Sequence, residues 1–294
     1  MNFLKKFFVI NLKVWIATIL ILVLLLSCIS ISINLSQQSI KTGIKVPIIM
    51  YHSILKDKKR NNKYVISPSQ LESDMLYIRE NGYTTIFVSD LVSYVYDNVP
   101  LPDKPIILTF DDGDYNNLTY AYPLLEKYDM KAVISIVGSY TDTYTKSGEA
   151  NPNYSYLRWS DIQFLYNSNR IEFGNHTYDL HKSSGGRNGA KKKSNESLEN
   201  YKSIISQDIL KLQDEFKNHI DITPSLFTYP FGSFCKESVP IIKDLGFKSS
   251  LSCTEGINYI TNDPDCLFDL KRFNRSSRTS TSAFFKKIEI MLDK

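Results

Sequence analysis

Cysteine is scarce in this 294-residue chain: four in all, with no two in the CxxC spacing of a zinc site. Cys235, Cys253 and Cys266 are an odd set beyond the N-terminal region, so at most one disulfide can form there and a disulfide-built scaffold is excluded. Excess charge is also lacking. The formal net charge is +4, and its densest cluster, Lys191 to Lys193, lies among Ser, Gly and Asn with no interleaved aromatic residue. That pattern reads as a solvated loop and argues against a nucleic-acid partner. Internal repeats and long low-complexity segments are absent as well. With 43% apolar and 22% charged residues, what remains is an ordinary globular composition plus an N-terminal appendage.

The appendage is defined by another absence, since no charged residue interrupts the apolar run from Val14 to Ile33. Such a run can span a bilayer, and Lys5, Lys6 and Lys13 ahead of it favour a cytoplasmic N-terminus. The expected organisation is a cytoplasmic stub and single-pass signal-anchor over 1–33, a linker over 34–45 and a folded domain over 46–294 on the extracellular face. Cys28, preceded by Leu25, Leu26 and Ser27, offers a second reading as a lipoprotein attachment site. Either reading makes the membrane a partner.

Beyond the linker, apolar or β-branched runs alternate with helical patterns. The strand-like runs are 46–51, 83–88, 105–110, 131–137, 171–175, 225–230, 247–252 and 270–274. Helical patterns cover 67–82, 118–129, 160–169, 195–219, 236–246 and the C-terminus. Strands this apolar, alternating with helices, imply a parallel sheet covered by helices, and about seven such units suggest a barrel. In βα barrels the chemistry sits at the C-terminal ends of the strands.

Two strand ends stand out. PIILTF delivers the adjacent acids Asp111 and Asp112, followed by Gly113 and Asp114, and acids this close need a cation or a raised pKa to coexist. A helix cap accounts for one of them but not for the cluster. The second is FGNHTYDLH, which holds His176 and His181, two of only four histidines. Their offset of five suits neither a helix nor a strand, so a turn must bring them together. One carboxylate and two imidazoles facing a common centre make a three-ligand divalent site with positions left open for water and substrate.

Thr109 to Gly113 (TFDDG) and HTYDLH together resemble the NodB-type polysaccharide deacetylases of carbohydrate esterase family 4. The resemblance spans roughly residues 45–290 and includes a third motif, TYPFG at 228–232. It implies an α/β fold, a distorted (β/α)7 barrel, here with an N-terminal membrane-anchoring helix. It also implies one divalent metal, zinc by default with cobalt, nickel or iron as alternatives, held by Asp112, His176 and His181, with Asp111 as the catalytic base. The usual offset in the second motif is four. The offset of five, together with VPIIMYHSI at 46–54, is similar to the subgroup that deacetylates biofilm poly-β-1,6-N-acetylglucosamine.

Two departures follow. Thr228 stands where most members carry the arginine that orients the catalytic Asp, and no histidine follows His219 to protonate the leaving amine. His52, at the end of the first strand, is the expected substitute acid. Thr177, Tyr229 and Phe231 are expected at the substrate side. The two aromatics either floor the site for a sugar or fill the barrel rim, and the Phe231 backbone N–H is the oxyanion donor that the resemblance implies. His219 reads as a surface residue near a helix C-terminus. The implied partner is an N-acetylated glycan polymer; peptidoglycan, a catalytically weak glycan-binding barrel and a phosphodiesterase are the competing readings.

Overall fold

Consecutive apolar residues such as PIILTF are buried on both faces only when helices cover the sheet they join. In the computed structural model, which describes residues 12–41 and 43–293, all six are buried. The sheet strands are β1 (Ile48–Tyr51), β2 (Thr84–Thr85), β3 (Pro105–Phe110), β4 (Ala132–Ile136), β5 (Ile171–Asn175), β6 (Leu226–Thr228), β7 (Ser249–Leu251) and β8 (Phe273–Asn274). They run in the order β7-β6-β5-β4-β3-β1-β8, all parallel, and β2 pairs with the start of β3. The sheet curls until β7 and the chain entering β8 touch at one parallel bridge, Leu251 to Leu270. Seven strands thus follow the expected curve, and closure rests on that contact.

The helices are α1 (Leu12–Lys41), α2 (Pro68–Glu80), α3 (Val88–Asp97), α4 (Tyr122–Lys127), α5 (Gly138–Ser147), α6 (Trp159–Asn167), α7 (Leu198–Ile220), α8 (Ser238–Asp244) and α9 (Thr281–Leu292). Helix α2 starts as its sequence dictates, with Pro68 in the first turn and Ser67 Oγ accepting from the Gln70 N–H at 3.2 Å. Alternate strand residues serve two cores. Ile49, Tyr51, Leu108, Phe110 and Ile134 pack outward with residues of α2, α4, α6 and α9, while Ile48, Ile107, Val133, Leu226 and Leu251 share the inner face. Val88, Leu91 and Val95 of α3 join that inner cluster and close the N-terminal end of the barrel.

Two expectations need correction. The strand expected over 83–88 is only Thr84–Thr85, because the Phe87 N–H donates to the Asp90 carboxylate at 2.8 Å and the chain turns into α3. The segment expected as a linker is helical as far as Lys41, since no Gly or Pro interrupts the chain between Asn34 and Thr42.

The chain divides into two compact units after Gly43. In α1 the side chains described are those of residues 16–30, and Leu20, Leu22 and Leu24 are among the exposed ones. The expected anchor, 14–33, extends past them, and of its cytoplasmic stub residues 1–11 lie outside the described residues while Leu12 and Lys13 begin α1. Among the described residues no helix is long and apolar enough to cross a membrane.

Candidate active site

The sheet ends its strands at one rim, and three of the turns that follow use backbone geometry rare for their residue types. Asp112 lies at φ 69°, Thr177 at 72° and Phe231 at 58°, all in the left-handed region. Such strain persists where the surroundings over-determine it, commonly at functional sites. Gly113 is required for a further reason: besides its φ of 76°, a Cβ there would meet Ile136 Cγ2 at 2.8 Å.

These turns converge on one cavity of about 390 Å³, within the range of small-molecule sites. His52, Asp111, Asp112, His176, His181 and Phe231 all line it. Asp112 Oδ1 stands 3.5 Å from His176 Nε2 and 3.2 Å from His181 Nε2. The His176 Nδ1 is 2.8 Å from the Thr228 carbonyl, which fixes that nitrogen as the donor and leaves the Nε2 lone pair facing Asp112. Thr228, the residue standing where an arginine was expected, therefore orients a histidine through its backbone. His181 is brought back by a turn whose Tyr178 and Asp179 N–H groups both donate to the Asp208 carboxylate, at 2.7 and 2.8 Å.

Asp112 Oδ1 is buried and makes no sound hydrogen bond, and one ligand atom from each of Asp112, His176 and His181 lies within 4.8 Å of the others. A divalent cation among them satisfies that oxygen and both imidazole lone pairs, so these residues fit the metal. A second acid–histidine group, Asp142, Glu215 and His219, differs: the Asp142 oxygens already accept from Trp159 Nε1 and Tyr178 OH, at 2.8 Å each. His219 packs flat on Trp159 and pairs with Glu215, as a helix-surface residue.

Asp111 is held differently from its neighbour. Arg272 grips it with two parallel hydrogen bonds, Nη1 to Oδ1 at 2.6 Å and Nη2 to Oδ2 at 2.8 Å, and is itself fully buried. Arg272 Nε also donates to the Ser252 carbonyl at 2.8 Å. An orienting arginine is therefore present, delivered just ahead of β8 instead of from the third motif. This corrects the sequence reading. The available signal was an Arg inside the strand-like run LKRFN, at a position a barrel interior tolerates only when paired.

Electrostatics separate the roles. Burial works against ionisation of Asp111, but the Arg272 guanidinium more than offsets it and holds the carboxyl below its ordinary range. Burial likewise opposes ionisation of Asp112, and contact with the histidines more than offsets it, holding that carboxyl below its ordinary range. Burial lowers His52 despite the attraction of Asp111 and Asp112, and lowers His181 to about 4 with the help of His176. Asp114 also lines the cavity; burial and the Asp112 charge push it up to about 7. His52 Nε2 lies 4.0 Å from Asp111 Oδ2, and its carbonyl accepts from Asn117 Nδ2 at 3.0 Å.

Two expected substrate residues are placed elsewhere. Tyr229 is fully buried, stacked on Phe234 with ring centroids 4.7 Å apart and set edge-on to Phe227, because its strand turns that side chain into the core. Thr177 is fully buried in the turn between the histidines, where it supplies backbone geometry. Phe231 stays at the rim, 48% exposed, its ring 4.4 Å from that of His181.

The sequence matches the model of the polysaccharide deacetylase family over residues 98–250. It is 24% identical over 228 residues to the poly-β-1,6-N-acetyl-D-glucosamine N-deacetylase of Escherichia coli K12, covering 71% of this chain and 34% of that protein. Identity to the Staphylococcus aureus N315 protein of the same name is 24% over 198 residues, covering 67% and 64%. The chain thus spans about a third of the first relative and under two thirds of the second. Among solved structures, a de-N-acetylase from Aggregatibacter actinomycetemcomitans shares the fold with a TM-score of 0.70 at 22% identity, covering 83% of this chain and 99% of that one. IcaB from Ammonifex degensii does so with a TM-score of 0.66 at 20% identity, covering 84% and 97%.

Proposed function

Since the chain belongs to the polysaccharide deacetylase family, we propose that it hydrolyses N-acetyl groups from a cell-surface amino-sugar polymer, poly-β-1,6-N-acetylglucosamine, with the help of one divalent metal. The observation that carries this reading is the division of labour between neighbours: Asp111 clamped by Arg272, and Asp112 set against two imidazoles with an unsatisfied oxygen. A pure binding protein has no need of that pair.

Asp112, His176 and His181 would hold a cation such as zinc, cobalt, nickel or iron, which would supply Lewis acidity toward the acetamide carbonyl and the attacking water. Asp111 accepts the proton of the attacking water. The Arg272 clamp keeps it ionised and oriented, at some expense of basicity. The Phe231 backbone N–H is the donor toward the developing oxyanion. His52, beside Asp111, delivers the proton to the departing nitrogen, and the products are acetate and a cationic amino sugar.

The polymer assignment is supported by the names of the sequence relatives and by the five-residue offset of His176 and His181. An extracellular location, with the N-terminal helix as membrane tether, is part of the same proposal and is supported by the uncharged run of α1. The test is acetate release by the purified protein from this polymer and from peptidoglycan. Release from the first supports the assignment, release from peptidoglycan alone moves the substrate, and release from neither by metal-loaded protein rejects the enzyme.

A further inference from the structure

The polar segment that follows His181 is a tight hairpin. Its strands, Ser183–Ser184 and Arg187–Asn188, pair antiparallel, and the chain then passes Gly189 and Ala190 on its way to α7. This return is anchored at several points. The Gly189 N–H donates to the Lys182 carbonyl at 3.0 Å, Tyr201 OH on α7 donates to the Ala190 carbonyl at 2.7 Å, and the largely buried side chains of Arg187 and Glu196 form an ion pair.

The hairpin leans on the loop of the third motif, TYPFG. Asn188 Nδ2 donates to Ser233 Oγ at 3.2 Å. Gly189 is buried at φ 56°, and a Cβ there would meet the Pro230 carbonyl oxygen at 2.7 Å and Phe231 Cδ2 at 3.3 Å, so only glycine lets the two backbones come this close. The same oxygen accepts from the Ser233 N–H at 2.9 Å. Holding that carbonyl has a consequence for the next residue. The Pro230–Phe231 peptide is planar and trans, so its C=O and N–H point in opposite directions and fixing one aims the other. Among the described residues no backbone carbonyl takes the Phe231 N–H, and Phe231 lines the cavity.

We propose that Gly189 is a positioning residue: its contact with the Pro230 carbonyl aims the Phe231 N–H into the cavity, so that the hairpin leaving His181 braces the oxyanion donor against the site. This rests on the deacetylase reading and adds the element that aligns its oxyanion donor.

The test compares the metal-loaded parent with Gly189→Ala and Asn188→Ala in acetate release from the β-1,6-linked N-acetylglucosamine pentamer. Loss of an oxyanion donor costs about 10²- to 10³-fold in kcat, so a donor displaced but not removed should cost Gly189→Ala about tenfold or more, with KM and zinc content within about twofold of the parent. Asn188→Ala, which cuts one tie to the loop and leaves Gly189 in place, should lower kcat about threefold in the same way. Unchanged kcat in Gly189→Ala overturns the proposal. So does a fall in kcat that follows lost zinc, which would place the role of the hairpin in holding His181. Should Gly189→Ala fail to fold, Asn188→Ala decides by the same criteria. NMR amide spectra of protein isotope-labelled at phenylalanine, with Phe231 assigned through Phe231→Tyr, read the brace without turnover: Gly189→Ala should move the Phe231 resonance and leave those of Phe110 and Phe285 in place. A stationary Phe231 amide rejects the brace, whereas absent acetate release from the parent rejects the deacetylase reading.

Discussion

Asp111 and Asp112 are adjacent in sequence and opposite in environment, and that contrast is the chemistry of the site. One carboxylate faces a buried guanidinium and the other faces two imidazoles. Arg272→Ala should therefore cost both stability and turnover. Removing one partner of a buried pair leaves the other charge uncompensated, a loss of roughly 3–5 kcal/mol. Acetate release should fall about 100-fold or more with metal content unchanged, and Arg272→Lys should recover only part of it, lacking the paired donors. Urea unfolding, metal analysis and acetate assays check the three effects separately. The cluster of Asp111, Asp112, His176 and His181 was legible because TFDDG and HTYDLH are local patterns. Arg272 was not, because it reaches Asp111 across 161 positions and only closure of the sheet brings the two together. Tyr229 and Thr177 sit beside legible motifs, yet their side-chain direction is set by packing that adjacency in sequence does not reveal.

The elements around the site set its geometry through backbone contacts. Asp208, on α7, holds the turn between the histidines by accepting from Tyr178 and Asp179. Asp208→Ala should loosen His181 and weaken metal affinity about 10- to 100-fold, as loss of an orienting partner does elsewhere, and competition with a chromophoric chelator measures it. At the other end of the barrel, Glu172 on β5 caps α3 by accepting from the Val88 and Ser89 N–H groups at 2.8 and 3.2 Å. Burial pushes its carboxyl up to about 7, overcoming these bonds. The folded protein thus holds this proton more tightly than the unfolded chain does. The contribution is fully present below the ordinary carboxyl pKa and is lost as pH rises through about 7. Glu172→Gln keeps an acceptor but not the ionisation, so its thermal midpoint should vary less between pH 5 and 8 than the parent's. Strand runs and capped helices such as α2 could be read from pattern alone. Helix α3 was not among the expected helices, because β-branched residues at 84–88 favour a strand, which a capping carboxylate at Asp90 ends early.

At the scale of the whole molecule, the chain is two units, and the chemistry belongs to the second, from Ile44 onward. A fragment of residues 44–294 should fold and release acetate in solution at a rate close to that of the full chain, while the full chain should partition into membranes; fractionation and acetate assays compare the two. Barrel class and rim location followed from alternating runs, whereas the near-open closure at Leu251 and Leu270 depends on a pairing no local pattern encodes. The central claim is that Asp112, His176 and His181 hold one metal on which deacetylation depends. Its most direct measurement is acetate release from poly-β-1,6-N-acetylglucosamine as chelated full-length protein is titrated with zinc, beside His176→Ala. The account predicts no release after chelation, recovery that saturates at about one metal per chain, and no recovery in His176→Ala. Undiminished release from metal-free protein, or equal recovery in His176→Ala, would contradict it.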